Sequence, residues 1–232
     1  MQVVDGDVQV GCGGATGWAA SVMTAGRPGV LTQAQVEDAF TSLLADAKYQ
    51  GELSRSFLED GASATRWRVL RVDGDTYTLG LGRWTARGPG NGATVFEIQG
   101  YPGSWTWAGG GACHLAPVLA SGHEWMAVTA PTVGLDRTST EPEVGLSEGA
   151  CSSGRDPRPY LHTPVVRETR TTVTVFWTAT PPEGIQDCVG RAPVDVSLHL
   201  PSPLGERMLL DGSTYPPTRV GRTSPSPPEP AH

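Results

Sequence analysis

The sequence predicts an α+β protein. One helix packs on an antiparallel sheet in the N-terminal half, and a β-rich, sandwich-like C-terminal half follows. Three observations carry this expectation. Glycine and proline supply 30 and 20 of the 232 residues, so the chain turns often, and long coiled coils or helical bundles are excluded. A single segment, about 33–49, has apolar residues at helical spacing. The other apolar residues alternate in short runs separated by Gly and Pro, the pattern of antiparallel strands.

A loosely alternating run over residues 3–10 predicts a first strand ending near Cys12, followed by a loop at Gly11, Gly13, Gly14 and Gly17. Thr32 and Gln35 form a capping box, with Leu31 and Val36 as its hydrophobic staple. Val36, Phe40, Leu43, Leu44 and Ala47 then make one apolar stripe, which needs a sheet to cover it. Trp67, Val69 and Val72 predict one strand and Tyr77, Leu79 and Leu81 the next, joined at Asp73-Gly74, a two-residue hairpin signal. A third run, 94–101, puts Phe96 and Ile98 on one face and Glu97 and Gln99 on the other. Beyond His123 no helical period recurs. Strands are expected around Trp125, over 144–147, at Val173/Val175/Trp177, along Val194/Val196/Leu198/Leu200 and at 208–210. The run 172–177 is apolar or β-prone on both faces, so it reads as a central strand. Three regions follow: an α+β subdomain (1–122), a β-rich subdomain (123–214) and a tail (215–232). Six of the last 18 residues are Pro, so the tail is expected to be disordered.

Several functions are excluded by what the sequence lacks. The net charge is −7 and there is no basic patch, so nucleic acid is not an expected partner. No run approaches the ~18 apolar residues of a membrane span. The one lysine, Lys48, lies between Ala47 and Tyr49, which rules out a P-loop and protein-kinase machinery; Ala45 three residues earlier rules out Ser-x-x-Lys. Gly11 and Gly13 would need a third glycine where Thr16 stands to make a dinucleotide fingerprint. Asp73-Gly74-Asp75 lacks the spacing of a calcium loop and reads as a hairpin. His114, His123, His162, His199 and His232 form no metal motif and read as surface or loop residues; no G-x-S-x-G elbow occurs. Glu97, Glu124 and Glu148 read as carboxylates on solvated strand faces. No cofactor and no metal are expected.

Four cysteines at wide spacing, Cys12, Cys113, Cys151 and Cys188, suit two disulfides in an oxidising compartment. Of three possible pairings, Cys12–Cys113 with Cys151–Cys188 is favoured, because each bridge staples one half of the chain. Residues 1–10 carry Asp5 and Asp7 without an apolar run, so they do not read as a signal peptide; an exported protein is expected here in mature form. A single Lys, a single Asn and two Ile point to a GC-rich genome.

A set of short motifs adds to this reading. They are Glu148-Gly149-Ala150-Cys151-Ser152-Ser153-Gly154, Pro164 before the Val173/Val175 strand, Cys188-Val189-Gly190, and Pro203-Leu204-Gly205-Glu206-Arg207 leading to Leu210-Asp211-Gly212. With Cys12-Gly13-Gly14 and Gly110-Gly111-Ala112-Cys113, this pattern resembles a module of uncharacterised exported proteins from high-GC Gram-positive (actinobacterial) bacteria. Arg191 stands where that module usually has Asn. The resemblance implies a Cys151–Cys188 pair and an extracellular or cell-surface location; it implies no activity.

The aromatic residues carry the one binding signal. Trp105 and Trp107 share a strand face beside Tyr101, where exposed indoles would stack on sugar rings or on an apolar protein surface. The competing reading is that they cover the helix or a subdomain junction. The sequence thus predicts a monomeric, non-catalytic binding or structural module of the cell envelope or extracellular space. Tyr101, Trp105 and Trp107 are its candidate contacts with a protein or carbohydrate partner. The alternative is a secreted hydrolase with a dispersed site, which a pocket gathering His and carboxylate side chains would favour.

Overall fold

The computed structural model describes residues 1–4, 7–12, 17–27, 30–46, 58–59, 67–85, 88–89, 94–149, 151–189 and 191–221. The chain is mostly β with two α-helices among the described residues. It divides into two compact units, Met1–Val118 and Leu119–His232, a division four residues before the one expected.

In the first unit the expected helix forms as Gln33–Ala45, here α2, after a one-turn helix α1 at Val22–Ala25. Its start is set as the sequence predicts. Thr32 Oγ1 accepts from the Gln35 amide, and Gln35 Oε1 accepts from the Thr32 amide, completing the capping box. The helix ends at Ala45, short of the expected Tyr49, because Asp46 at its C-cap is already extended; Ala47 and Tyr49 lie outside the described residues.

Numbering strands along the chain, the unit contains β1 (Val3–Val4), β2 (Asp7–Cys12), β3 (Trp18–Ala19), β4 (Trp67–Asp73), β5 (Thr76–Leu81), β6 (Trp84–Thr85), β7 (Gly88–Pro89), β8 (Thr94–Tyr101), β9 (Ser104–Ala112) and β10 (Leu115–Pro117). Strands β4-β5-β8-β9 form an antiparallel meander, and β1-β2-β10, with β3 on β2, form a second small sheet. Asp73 pairs with Thr76, so the β4–β5 turn is Gly74-Asp75, one residue later than predicted; Gly74 takes the positive φ of 59° that this turn needs. A register shift between Val69 and Arg71 also breaks the alternation of β4.

Helix α2 covers one face of the meander. Val36, Ala39, Phe40 and Leu43 pack with Val69, Leu79, Leu81, Phe96, Ile98 and Trp105 in one core. Phe40 meets Phe96 edge-on with ring centroids 5.4 Å apart.

The second unit holds one seven-stranded sheet made of β11 (Glu124–Thr129), β12 (Glu143–Glu148), β13 (Val165–Glu168), β14 (Thr172–Ala179), β15 (Val194–Ser197), β16 (Met208–Asp211) and β17 (Thr218–Arg219). As its two-sided pattern predicts, β14 is central: it pairs with β11, β13 and β16. The β14–β16 pair is parallel, which no local pattern announces. Met126, Leu146, Val173, Val175, Trp177, Leu198, Leu204 and Leu209 share one core. The start of the tail expected to be disordered from Tyr215 is ordered. Thr218–Arg219 pairs with β16, which gives its backbone the partners that disorder would deny; residues 222–232 lie outside the described residues.

Both expected disulfides are present, Cys12–Cys113 and Cys151–Cys188. They point to an extracellular or otherwise oxidising environment.

Two outcomes are expected from this packing. Phe40→Ala lowers unfolding free energy by about 3–5 kcal/mol in urea titrations, because the emptied site is walled by strands on one side. Replacing Cys12 and Cys113 together with Ala costs roughly 3–5 kcal/mol by the same measurement, since the bridge closes a loop of sequence separation 101.

Candidate functional site

The meander face turned away from α2 carries short side chains in cross-strand rows. Thr78 on β5 stands opposite Glu97 on β8, and Glu97 stands opposite Gly109 on β9. The adjacent row is Gly80, Val95 and Gly111. Trp84 fills the space above Gly80, where a Cβ would lie 2.9 Å from the indole, and Trp18 of the small sheet meets Trp84 edge-on at 6.3 Å. Where the glycines leave the sheet bare, a cleft of about 310 Å³ opens, lined by Cys12, Trp18, Thr78, Val95, Glu97 and the 110–112 stretch of β9. The Cys12–Cys113 bridge pins β2 beside the end of β9 and so fixes one wall. The size lies at the lower end for small-molecule pockets.

The polar chemistry of the cleft is sparse. Thr78, 3 % exposed, donates its hydroxyl to Glu97 Oε1 at 3.1 Å. Glu97 is half-buried, and no ion pair joins it to a cation among the described residues. The wall residue Trp18 is 4 % exposed and its buried Nε1 has no acceptor among the described residues. Among the described residues, no histidine and no second carboxylate lines the cleft.

The three aromatic residues singled out in the sequence do not form an exposed platform. Trp105 is 7 % exposed, stacks edge-on with Tyr77, and donates Nε1 to Asp38 Oδ2 of α2 at 2.9 Å. Trp107 packs half-buried against the same core and donates Nε1 to the Gly109 carbonyl. Only Tyr101, 67 % exposed, faces solvent. The shared face of positions 105 and 107 is real, but it is the helix face. Burying an indole there removes more apolar area from water than leaving it exposed.

The second unit corrects the reading of Glu124 and Glu148. They are not on a solvated face: Glu148 pairs with Met126 and Glu124 with Ala179, so both carboxylates point along the core side of the sheet. Arg155 lies between them. Its NH2 is 2.9 Å from Glu124 Oε1 and 2.5 Å from Glu148 Oε1, and it also donates to the Thr180 carbonyl at 2.7 Å. The Tyr160 ring sits 4.3 Å below the guanidinium. Burial, together with the Glu148 charge, pushes Glu124 up to about 7, against the pull of Arg155.

Two histidines also meet, on the opposite side of β14. The His123 and His162 rings lie 4.4 Å apart, each with Nδ1 near Thr178 Oγ1, at 3.4 and 3.1 Å. Thr178 and Ala179 are successive strand residues, so these imidazoles and the carboxylate pair occupy opposite faces. No group of three or more His, Cys, Asp or Glu placed to hold a metal occurs among the described residues. The sequence identified none of these groupings. Strand register and loop return create them, and local sequence spacing encodes neither.

No family model, curated protein or solved structure matches the chain.

The raised Glu124 carboxyl has a direct consequence. Its proton is bound in the folded state between its usual 4.5 and about 7 but not in the unfolded chain, so its contribution makes the fold more stable as pH falls through that window. The melting temperature of the second unit is expected to rise on acidification from about pH 8 to about pH 5, and Glu124→Gln to flatten that rise. Below the usual 3.8 of an aspartate, Asp136 and Asp156, both held low by hydrogen bonds, act in the opposite sense.

Proposed function

We propose that this chain is an exported, non-catalytic binding module whose ligand seats in the cleft of the first unit. The observation that carries the reading is the cleft's lining: a concave, largely neutral surface with one hydroxyl–carboxylate pair, Thr78 and Glu97, converging on it. Export is supported by the two disulfides and by the resemblance of the cysteine-bearing motifs to exported actinobacterial proteins.

Among the described residues, the hydrolase alternative draws on the Glu124–Glu148 pair. Glycoside hydrolysis separates its carboxyl groups by about 5 Å or more to admit sugar or water. Here both carboxylates are bonded to one guanidinium, with side chains 13 % and 6 % exposed. That geometry favours a structural ion cluster closing the end of the core. The histidines that could assist lie on the other face.

Two measurements test the reading. In amide NMR titrations with small sugars and short peptides, at least one compound is expected to shift Thr78, Val95, Glu97 and Gly111 saturably, with Trp18 emission changing in parallel. Chromogenic glycosides and esters are expected to show no turnover; hydrolysis abolished by Glu124→Gln or Glu148→Gln would reverse the assignment.

A further inference from the structure

We infer that the cleft selects a protonated amine, and that Gly109 is kept bare so that the amine can reach Glu97. This rests on the cleft being the ligand seat and names what it takes.

The first argument is charge. A carboxylate offers about four acceptor positions, and the described structure fills one, with the Thr78 hydroxyl. The rest of the described lining (Cys12 in its disulfide, Trp18, Val95, Gly110, Gly111 and Ala112) brings no cation. A bound ammonium would fill acceptor positions on this carboxylate for which the described lining supplies no donor. An anionic ligand would instead face Glu97 with no basic residue in the described lining to hold it. The net charge of −7 favours the approach of cations at long range.

The second argument is access. Glycine weakens a strand, so its presence in one calls for a reason. Gly110 has a packing reason, because a Cβ there would lie 2.8 Å from the Val95 carbonyl oxygen. Gly111 has a backbone reason, a φ of 156°. Gly109 lies beside the bulge at which the β8–β9 register shifts between Glu97 and Ile98, but its φ is not in the positive region and a Cβ would meet nothing within 4 Å, so neither contact nor dihedral there requires glycine. It does stand directly opposite Glu97 on the same face. Cross-strand neighbours on one face touch, so any side chain at 109 would lean over the carboxylate. The glycine leaves that approach open. An ammonium, a compact charge with three donors, fits a carboxylate reached over a bare strand.

Such an ammonium can be carried by an amino sugar or by a lysine side chain. The experiment therefore compares glucosamine with N-acetylglucosamine, and an acetyl-Gly-Lys-Gly-amide peptide with its Nε-acetylated form, by amide NMR titration of the full chain. At least one ammonium form is expected to bind roughly tenfold or more tighter than its acetylated counterpart, shifting Thr78, Val95 and Gly111. The stronger of the two identifies the source. Glu97→Gln is expected to erase the difference. Gly109→Leu, whose Cβ would enter open space, is expected to weaken binding roughly tenfold or more with the fold retained, as read from the amide spectrum of the free protein. Equal binding of acetylated and free forms at the same amides overturns the amine inference and leaves the cleft as seat. Shifts confined to other surfaces overturn both. No shift with any of the four compounds up to about 10 mM overturns the amine inference.

Discussion

The bond between Cys12 and Cys113 is the constraint on which the first unit turns. The small sheet has short strands, β2 six residues long, β3 two and β10 three, and beside the bridge it meets the meander side through the Trp18–Trp84 contact and the Arg27 and Arg68 hydrogen bonds between the α1 segment and β4. Sheets so small bury too little apolar area to stand alone. The covalent link fixes β2 beside the end of β9 without demanding a filled interface, and this is why a cleft can persist there. A purely apolar contact would be driven to close it, since unfilled space forfeits packing energy.

The two faces of the meander are built by opposite means. Toward α2 the strands present Leu79, Phe96, Ile98 and Trp105, and the helix supplies Phe40 and Leu43, all buried. Away from α2 the rows read Thr78–Glu97–Gly109 and Gly80–Val95–Gly111. The first face carries the folding energy; the second is mostly surface the protein leaves small. The same contrast recurs in the second unit. There a guanidinium occupies two carboxylates and an aromatic face at the rim of the core, so a possible catalytic pair is consumed as structure.

Much of the local architecture could be read from the chain. The capping box at Thr32 and Gln35, the alternation of 94–101 and the two-sided apolar run at 172–177 each reflect short-range chemistry: a side chain bonding a nearby amide, or a period matching a strand. Other features depend on residues distant in the chain. The common face of Trp105 and Trp107 leaves open in the sequence whether it covers the helix or meets solvent; packing of Trp105 against Asp38 and Tyr77, and of Trp107 against Phe96, makes it the helix-covering face. Glu124 and Glu148 looked like solvated strand residues because their partner, Arg155, returns from a separate loop. The Asp73-Gly74 signal landed one residue early because the turn is set by the pairing of Asp73 with Thr76.

While the structure decided which cysteines pair, the sequence by itself determined a mostly β class of fold with one capped helix, and four cysteines suited to an oxidising environment. Those follow from local propensity, periodicity and the redox chemistry of sulfur. Tertiary structure decided which carboxylate faces a cleft and which is locked in an ion cluster, and which glycine is demanded by packing and which is not. These are matters of register between strands distant in the chain, and one residue of slip would send every side chain to the other face.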